Sequence, residues 1–74
     1  MPQPLPSLAS LRSFEASARH ESFSKAAEEL NLTQAAVSQQ IRLLEDRVGG
    51  ELFRREARHV KLTELGRLYR SLTV

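Results

Sequence analysis

Apolar residues return along this chain at three- and four-residue steps in four separate blocks, and a residue able to cap a helix precedes each. Leu8, Leu11, Phe14 and Ala18 form the first block. Their spacing predicts a helix burying one face, opened by Ser7 immediately after Pro6. Ala26, Ala27 and Leu30 form a shorter second stripe, with Ser24 as its expected N-cap. Val37, Ile41, Leu44 and Val48 form the third, capped by Thr33, and Leu65, Leu68, Tyr69 and Leu72 the fourth, capped by Thr63 with Glu64 near the positive helix end. Gly66 should weaken that last helix by about 1 kcal/mol relative to Ala.

The connections are as informative as the helices. Asn31 falls where the chain must reverse between the second and third helices, and Asn tolerates the left-handed conformation this requires. Ala27 is small enough for two helices to cross closely, and Leu32 is expected to plug the turn from beneath. Gly49 is the expected left-handed cap after Val48. Beyond it, Leu52-Phe53-Arg54 and His59-Val60-Lys61-Leu62 read as two short strands joined by a turn over Arg55-Glu56-Ala57-Arg58.

The third helix carries an unusual outer face. Opposite its apolar stripe lie Ala35, Ser38, Gln39 and Arg42, with Gln34 at the helix start. Ser, Gln and Arg can all hydrogen-bond base edges in a major groove, and Ala permits close approach or contact with a thymine methyl. A solvated polar face on an ordinary helix explains this helix alone equally well. The small Ala27, the turn at Asn31, the Leu32 plug and the capped polar helix together favour a helix-turn-helix. The predicted fold is mainly α: a winged helix-turn-helix with a three-helix core, a short two-stranded wing and a last amphipathic helix. Residues 1–6 form an extended lead-in, residues 7–62 the DNA-binding unit, and residues 63–74 the last helix, which the family resemblance given below implies is the start of a linker helix.

Charge sharpens this picture. The 74 residues carry a formal net charge of +2. Residues 1–53 hold five basic and seven acidic groups, whereas residues 54–74 hold six basic groups against Glu56 and Glu64. Positive charge therefore gathers beside the presumed recognition helix, as a phosphate-binding edge requires. Arg54, Arg55 and Arg58 near the wing tip can reach phosphates or a minor groove.

The run from Ser22-Phe23-Ser24-Lys25-Ala26-Ala27 through Asn31-Leu32-Thr33-Gln34 to Ile41-Arg42-Leu43-Leu44-Glu45 resembles the DNA-binding signature of LysR-type transcriptional regulators. The resemblance extends from Leu8 to Gly66, and Phe14-Glu15-Ala16-Ser17-Ala18-Arg19-His20 is similar to the branch holding glycine-cleavage and β-lactamase-inducer regulators. It implies a bacterial, cytoplasmic protein binding an interrupted inverted repeat in double-stranded DNA as a homodimer. The last helix, through Leu65, Leu68, Tyr69 and Leu72, would begin the pairing of subunits. Arg55, two residues after Phe53, matches the family's wing arginine, while Ala57 stands where the family often has glycine. Family members commonly carry arginine at the position of Gln39. The family's larger C-terminal ligand-sensing domain has no counterpart in these 74 residues, so no small-molecule effector is expected within them.

Other classes fit less well. There is no cysteine, and the two histidines stand far apart without acid–base or metal-ligand spacing, so no catalytic residue, metal or cofactor is expected. Glu28-Glu29 and Glu45-Asp46 read as solvated helix positions, and His20 as a residue serving the first helix's C-terminus. No apolar run is long enough to span a membrane. The competing reading is a protein-interaction module of the same fold, docking through Leu65, Leu68, Leu72 and the exposed side of Leu43. Such a module has no need for Arg54, Arg55 and Arg58. Leu43 itself lies off the main stripe and is expected to pack against the last helix.

Overall fold

The computed structural model describes residues 7–73, so the N-terminal lead-in lies outside the described residues. Three helices come first: α1 (Leu8–His20), α2 (Phe23–Leu30) and α3 (Gln34–Val48). An antiparallel ribbon of β1 (Phe53–Arg55) and β2 (Val60–Leu62) follows, then α4 (Glu64–Thr73). Both strands sit within a residue of their expected bounds.

Local chemistry sets most of the boundaries. The Ser7 hydroxyl accepts the Ser10 amide at 3.1 Å and that of Thr33 accepts the Ala36 amide at 3.0 Å, each satisfying an orphan donor of a helix start. The N-cap of α2 is Ser22, whose hydroxyl accepts the Lys25 amide at 3.1 Å. Ser24, the expected cap, lies inside the first turn. The helix begins earlier because Phe23 is buried, its ring edge-on to Phe53 at 5.5 Å, which fixes the chain there.

The turn between α2 and α3 has Asn31 in the left-handed conformation, φ 60° and ψ 44°. The Leu32 amide donates back to the Ala27 carbonyl at 2.9 Å, the six-to-one closure of a helix end. The Leu32 side chain, however, is 44% exposed and borders a surface cleft with Ala9, Arg12 and Leu30 instead of plugging the turn. Gly49 caps α3 at φ 93°.

The core joins all the elements. Phe14 of α1 meets Phe53 of β1 at 5.5 Å and Tyr69 of α4 at 5.3 Å, and Val37, Ile41 and Leu44 of α3 are fully covered. Tilted and edge-to-face ring contacts of this kind add to the area they bury. Val48 is only half-buried. The buried face of α1 departs from expectation: Leu8 is 70% exposed, while Ser10, Ser13 and Ser17 are buried beside Phe14, Ala16 and Ala18. Small residues let α2 and α3 approach, at the cost of leaving the Ser13 and Ser17 hydroxyls without a hydrogen-bond partner among the described residues.

The base of the ribbon is fastened from both sides. One Glu45 carboxylate oxygen accepts the Leu52 amide at 2.8 Å and the Phe53 amide at 3.4 Å, so this residue is not a solvated helix position. The Thr63 amide donates to the Leu52 carbonyl at 3.0 Å, and the Thr63 hydroxyl donates to Glu51 and accepts from Gly66. A β-carbon on Gly66 would come within 2.1 Å of the Leu52 carbonyl oxygen. Glycine is needed there for close approach, whatever it costs in helix propensity.

Candidate nucleic-acid interface

The outer face of α3 is an open strip. Ala35, Gln39 and Arg42 are exposed and Ser38 half-buried; Leu43 and Asp46 continue the same strip toward the helix C-terminus. Leu43 is 52% exposed and lines this strip. These side chains contribute nothing to the core, whereas Val37, Ile41 and Leu44 on the opposite side anchor the helix. The recognition face is thereby presented by a rigidly held element.

At its N-terminal end the strip meets the wing. A cleft of about 270 Å³ lies between them, lined by Gln34 and Ser38 from α3, by Phe23, and by Arg55, Arg58 and His59 among the wing residues. Ser38 belongs to both the strip and the cleft. The structure thus brings Gln34, Ser38, Arg55 and Arg58 together from separate parts of the sequence.

Register explains where the wing cations point. Phe53 pairs with Leu62, Arg54 with Lys61 and Arg55 with Val60. Successive strand residues face opposite sides, so Arg54 and Arg55 diverge. Arg55 turns inward over the Phe23 ring, its guanidinium carbon 5.2 Å from the ring centroid, a cation–π contact that steadies it at the cleft. Arg54 faces outward directly opposite Lys61. Like charges across a strand pair are unfavourable unless an anion lies between them. In the sequence Lys61 is only one of the basic groups of residues 54–74; its place opposite Arg54 exists only once the register is known. Arg42, Arg54 and Arg58 form no ion pair with any described residue.

The wing turn resolves the question raised by Ala57. The Glu56 amide donates to the His59 carbonyl at 2.9 Å, and His59 Nε2 lies 2.9 Å from Glu56 Oε1. No residue from 56 to 59 takes a positive φ, so this turn has no need of glycine. Thr33 caps α3 through its oxygen and keeps its hydroxyl proton for an outside acceptor.

Charge is handled differently where α1 meets α2. Arg19 donates to Glu15 at 2.8 Å and to Glu29 at 2.6 Å, and His20 Nε2 meets Glu29 at 2.7 Å. His20 thus reaches across to α2 instead of serving its own helix end. The Arg19 hydrogen bond, followed by that of His20, lowers the Glu29 carboxyl to a pKa of about 2. The Arg19 hydrogen bond also lowers that of Glu15.

Residues 8–67 match the model of the bacterial regulatory helix-turn-helix proteins of the LysR family. The chain belongs to the LysR family. Among its relatives, a glycine cleavage system transcriptional activator homolog of Haemophilus influenzae is 60% identical over 65 residues, covering 88% of this chain and 22% of that protein. The transcriptional activator AmpR of Providencia stuartii is 63% identical over 59 residues, covering 80% of this chain and 20% of AmpR. The expected placement beside the glycine-cleavage branch of LysR regulators is borne out by these names. A solved structure of the regulator DarR from Vibrio fischeri, in complex with DNA, superposes with a TM-score of 0.81 at 45% identity, covering 86% of this chain and 22% of DarR. The chain therefore spans about a fifth of the length of these relatives. Its four helices and two-stranded sheet form the expected winged helix-turn-helix of the LysR DNA-binding domains. No described helix is long and apolar enough to cross a membrane.

Proposed function

We propose that this chain binds double-stranded DNA sequence-specifically, as the DNA-binding unit of a bacterial transcriptional regulator. The observation that carries the reading is the continuity of two surfaces. The exposed polar strip of α3 runs into the wing cleft through Ser38, and Arg42, Arg54 and Arg58 flank it with no ion-pair partner among the described residues. The DNA-bound state of DarR, a neighbour of the same fold, supports it.

In this reading Ser38, Gln39 and Arg42, helped by Gln34 and Ala35, face base edges in the major groove. The Thr33 hydroxyl and Arg54, Arg55 and Arg58, joined by Lys61, hold phosphates or enter the minor groove. Residues 7–62 act as the DNA-binding unit, and residues 63–74 begin a linker helix that pairs two copies on an interrupted inverted repeat. Half-sites then lie about one helical turn apart, or a multiple of it. Leu65 and Tyr69 pack against the domain's own core, whereas Leu68 at 58% and Leu72 at 74% exposed offer the apolar face for the second copy. Such a regulator works in the cytoplasm.

Fluorescence anisotropy with a random duplex pool at two salt concentrations, followed by selection of the bound fraction, tests the reading. Steeply salt-dependent binding that enriches an inverted repeat is expected, since phosphate contacts set the salt slope and base contacts the enrichment. Absence of binding at low salt would overturn it in favour of a protein-interaction module. Glutamine pairs with adenine N6 and N7, so Gln39→Arg is expected to move preference toward guanine at one position per half-site. An unchanged preference would remove Gln39 from the base-reading set.

A further inference from the structure

We propose that Glu45 is a positioning residue for DNA binding, fixing the wing's cations at a set offset from the recognition helix so that both engage one duplex. The proposal rests on the DNA-binding reading above. Glu45 stands in the last turns of α3, one turn beyond Arg42, and performs two tasks. Its backbone carbonyl accepts the Gly49 and Gly50 amides at 2.8 and 3.1 Å, ending the helix. Its carboxylate reaches forward to the amides of Leu52 and Phe53, where β1 begins. Arg54 is the next residue along, and Arg55 the one after it.

The other tethers of the wing run elsewhere. The Val60 amide donates to the Glu21 carbonyl at 3.0 Å, and Leu52 is bound to Thr63. Those bonds fix the ribbon to the α1–α2 turn and to α4. Glu45 ties it to the helix that faces the bases. The 2.8 Å bond to Leu52 has the short length of a charge-assisted hydrogen bond, with the 3.4 Å contact to Phe53 a weaker second hold, which suits a joint bearing on both reading elements.

The sign of its effect distinguishes this role from plain electrostatics. A carboxylate near a polyanion repels it, so removing the charge should by that effect alone tighten binding and steepen the salt dependence. If Glu45 positions the wing, removing it should do the reverse.

The test uses the 74-residue chain, a duplex selected by the wild type and anisotropy over a series of salt concentrations. Glu45→Ala and Glu45→Gln are compared in the wild-type background and with Arg54→Ala and Arg58→Ala already present, helix content being checked by circular dichroism. Glu45→Ala is expected to weaken binding about tenfold, a coupling typical of residues acting through one another. It should also flatten the salt slope by about one phosphate contact, near 0.9 in log–log terms. Glu45→Gln, which keeps an acceptor oxygen, should show the same pattern at smaller amplitude, and decides the matter should Glu45→Ala fail to fold. With Arg54 and Arg58 already removed, only Arg55 and Lys61 remain to be positioned, and either substitution should cost clearly less affinity than in the wild-type background. Unchanged or tighter binding by the Glu45 variants, or an equal loss in both backgrounds, would overturn the positioning role and leave DNA binding standing. A wild type that shows no salt-sensitive binding would instead overturn the DNA reading itself, and this role with it.

Discussion

The α1–α2 junction and the junction of α3 with the wing and α4 are held together by opposite means. Where α1 meets α2, surface ion pairs do the joining: Arg19 grips Glu15 and Glu29, and His20 adds to Glu29. Where α3 meets the wing and α4, the bonds are to backbone: the Glu45 carboxylate holds the Leu52 and Phe53 amides, Thr63 holds Leu52 and Glu51, and Gly66 lies against the Leu52 carbonyl. The difference teaches how a small domain keeps cations available. A guanidinium neutralised by two carboxylates has little left for a phosphate, so the face proposed to meet DNA must draw its cohesion from amides, carbonyls and close packing. A count of arginines in the sequence does not separate Arg19 from Arg58. Their partners do.

The strongest way to break this comparison is to strip cations from each side in turn. Replacing Arg42, Arg54 and Arg58 together with alanine is expected to lower duplex affinity by at least about 100-fold at moderate salt and to flatten the salt slope by about two contacts, those of Arg54 and Arg58. Arg19→Ala should leave both quantities unchanged while lowering the thermal midpoint. Equal losses of affinity from the two changes, measured by anisotropy, would mean that ion pairing does not divide the two faces.

Gly66→Ala probes the backbone-held junction. Helix propensity alone favours the alanine by about 1 kcal/mol, but the added carbon would collide with the Leu52 carbonyl. A net destabilisation of about 1–3 kcal/mol in urea unfolding is expected, as for other overpacked sites. A gain in stability would show that the junction is looser than described.

The ion-paired junction should answer to pH. The carboxyl of Glu29 titrates at about 2 in the folded chain against an ordinary 4.5. A depressed carboxyl adds stability above its unfolded value, and this is lost as pH falls through the folded one. Wild type should therefore melt higher than Glu29→Gln near neutral pH, with the gap closing as pH drops from about 4.5 toward 2. A gap that stays constant over that range would argue that the pair contributes through packing alone. The smallest effect belongs to the buried serines. Ser17→Ala removes a hydroxyl without a partner among the described residues and should be neutral or stabilising by up to about 1 kcal/mol. A clear loss would reveal a bond to that hydroxyl.

What the sequence disclosed follows from the range of the forces involved. Ser7, Thr33, Asn31 and Gly49 act on backbone groups within a few residues, so their roles were readable directly. The polar strip of α3 followed from helical geometry. Ser24 was the expected cap, and Ser22 takes its place because Phe23 packs on Phe53, a choice made by tertiary packing. Leu8 kept the right periodicity and Leu32 the right position for a plug, yet no described residue covers either fully, while Ser10, Ser13 and Ser17 were hidden by their polar type. Glu45, Lys61 and Gly66 were illegible for a shared reason. Each depends on an atom brought alongside from elsewhere in the chain: an amide beyond the glycine turn, a facing strand, or a carbonyl beneath the last helix.

The separation of faces on α3 bears on how such a protein changes over generations. Ala35, Gln39 and Arg42 are exposed and lie off the stripe that anchors the helix, so exchanges among them carry little folding penalty. On the DNA-binding reading proposed above, operator preference can drift, or be redirected by an experimenter, while the scaffold stays intact: variation at these positions alters which sites are found and leaves unaltered the machine that finds them.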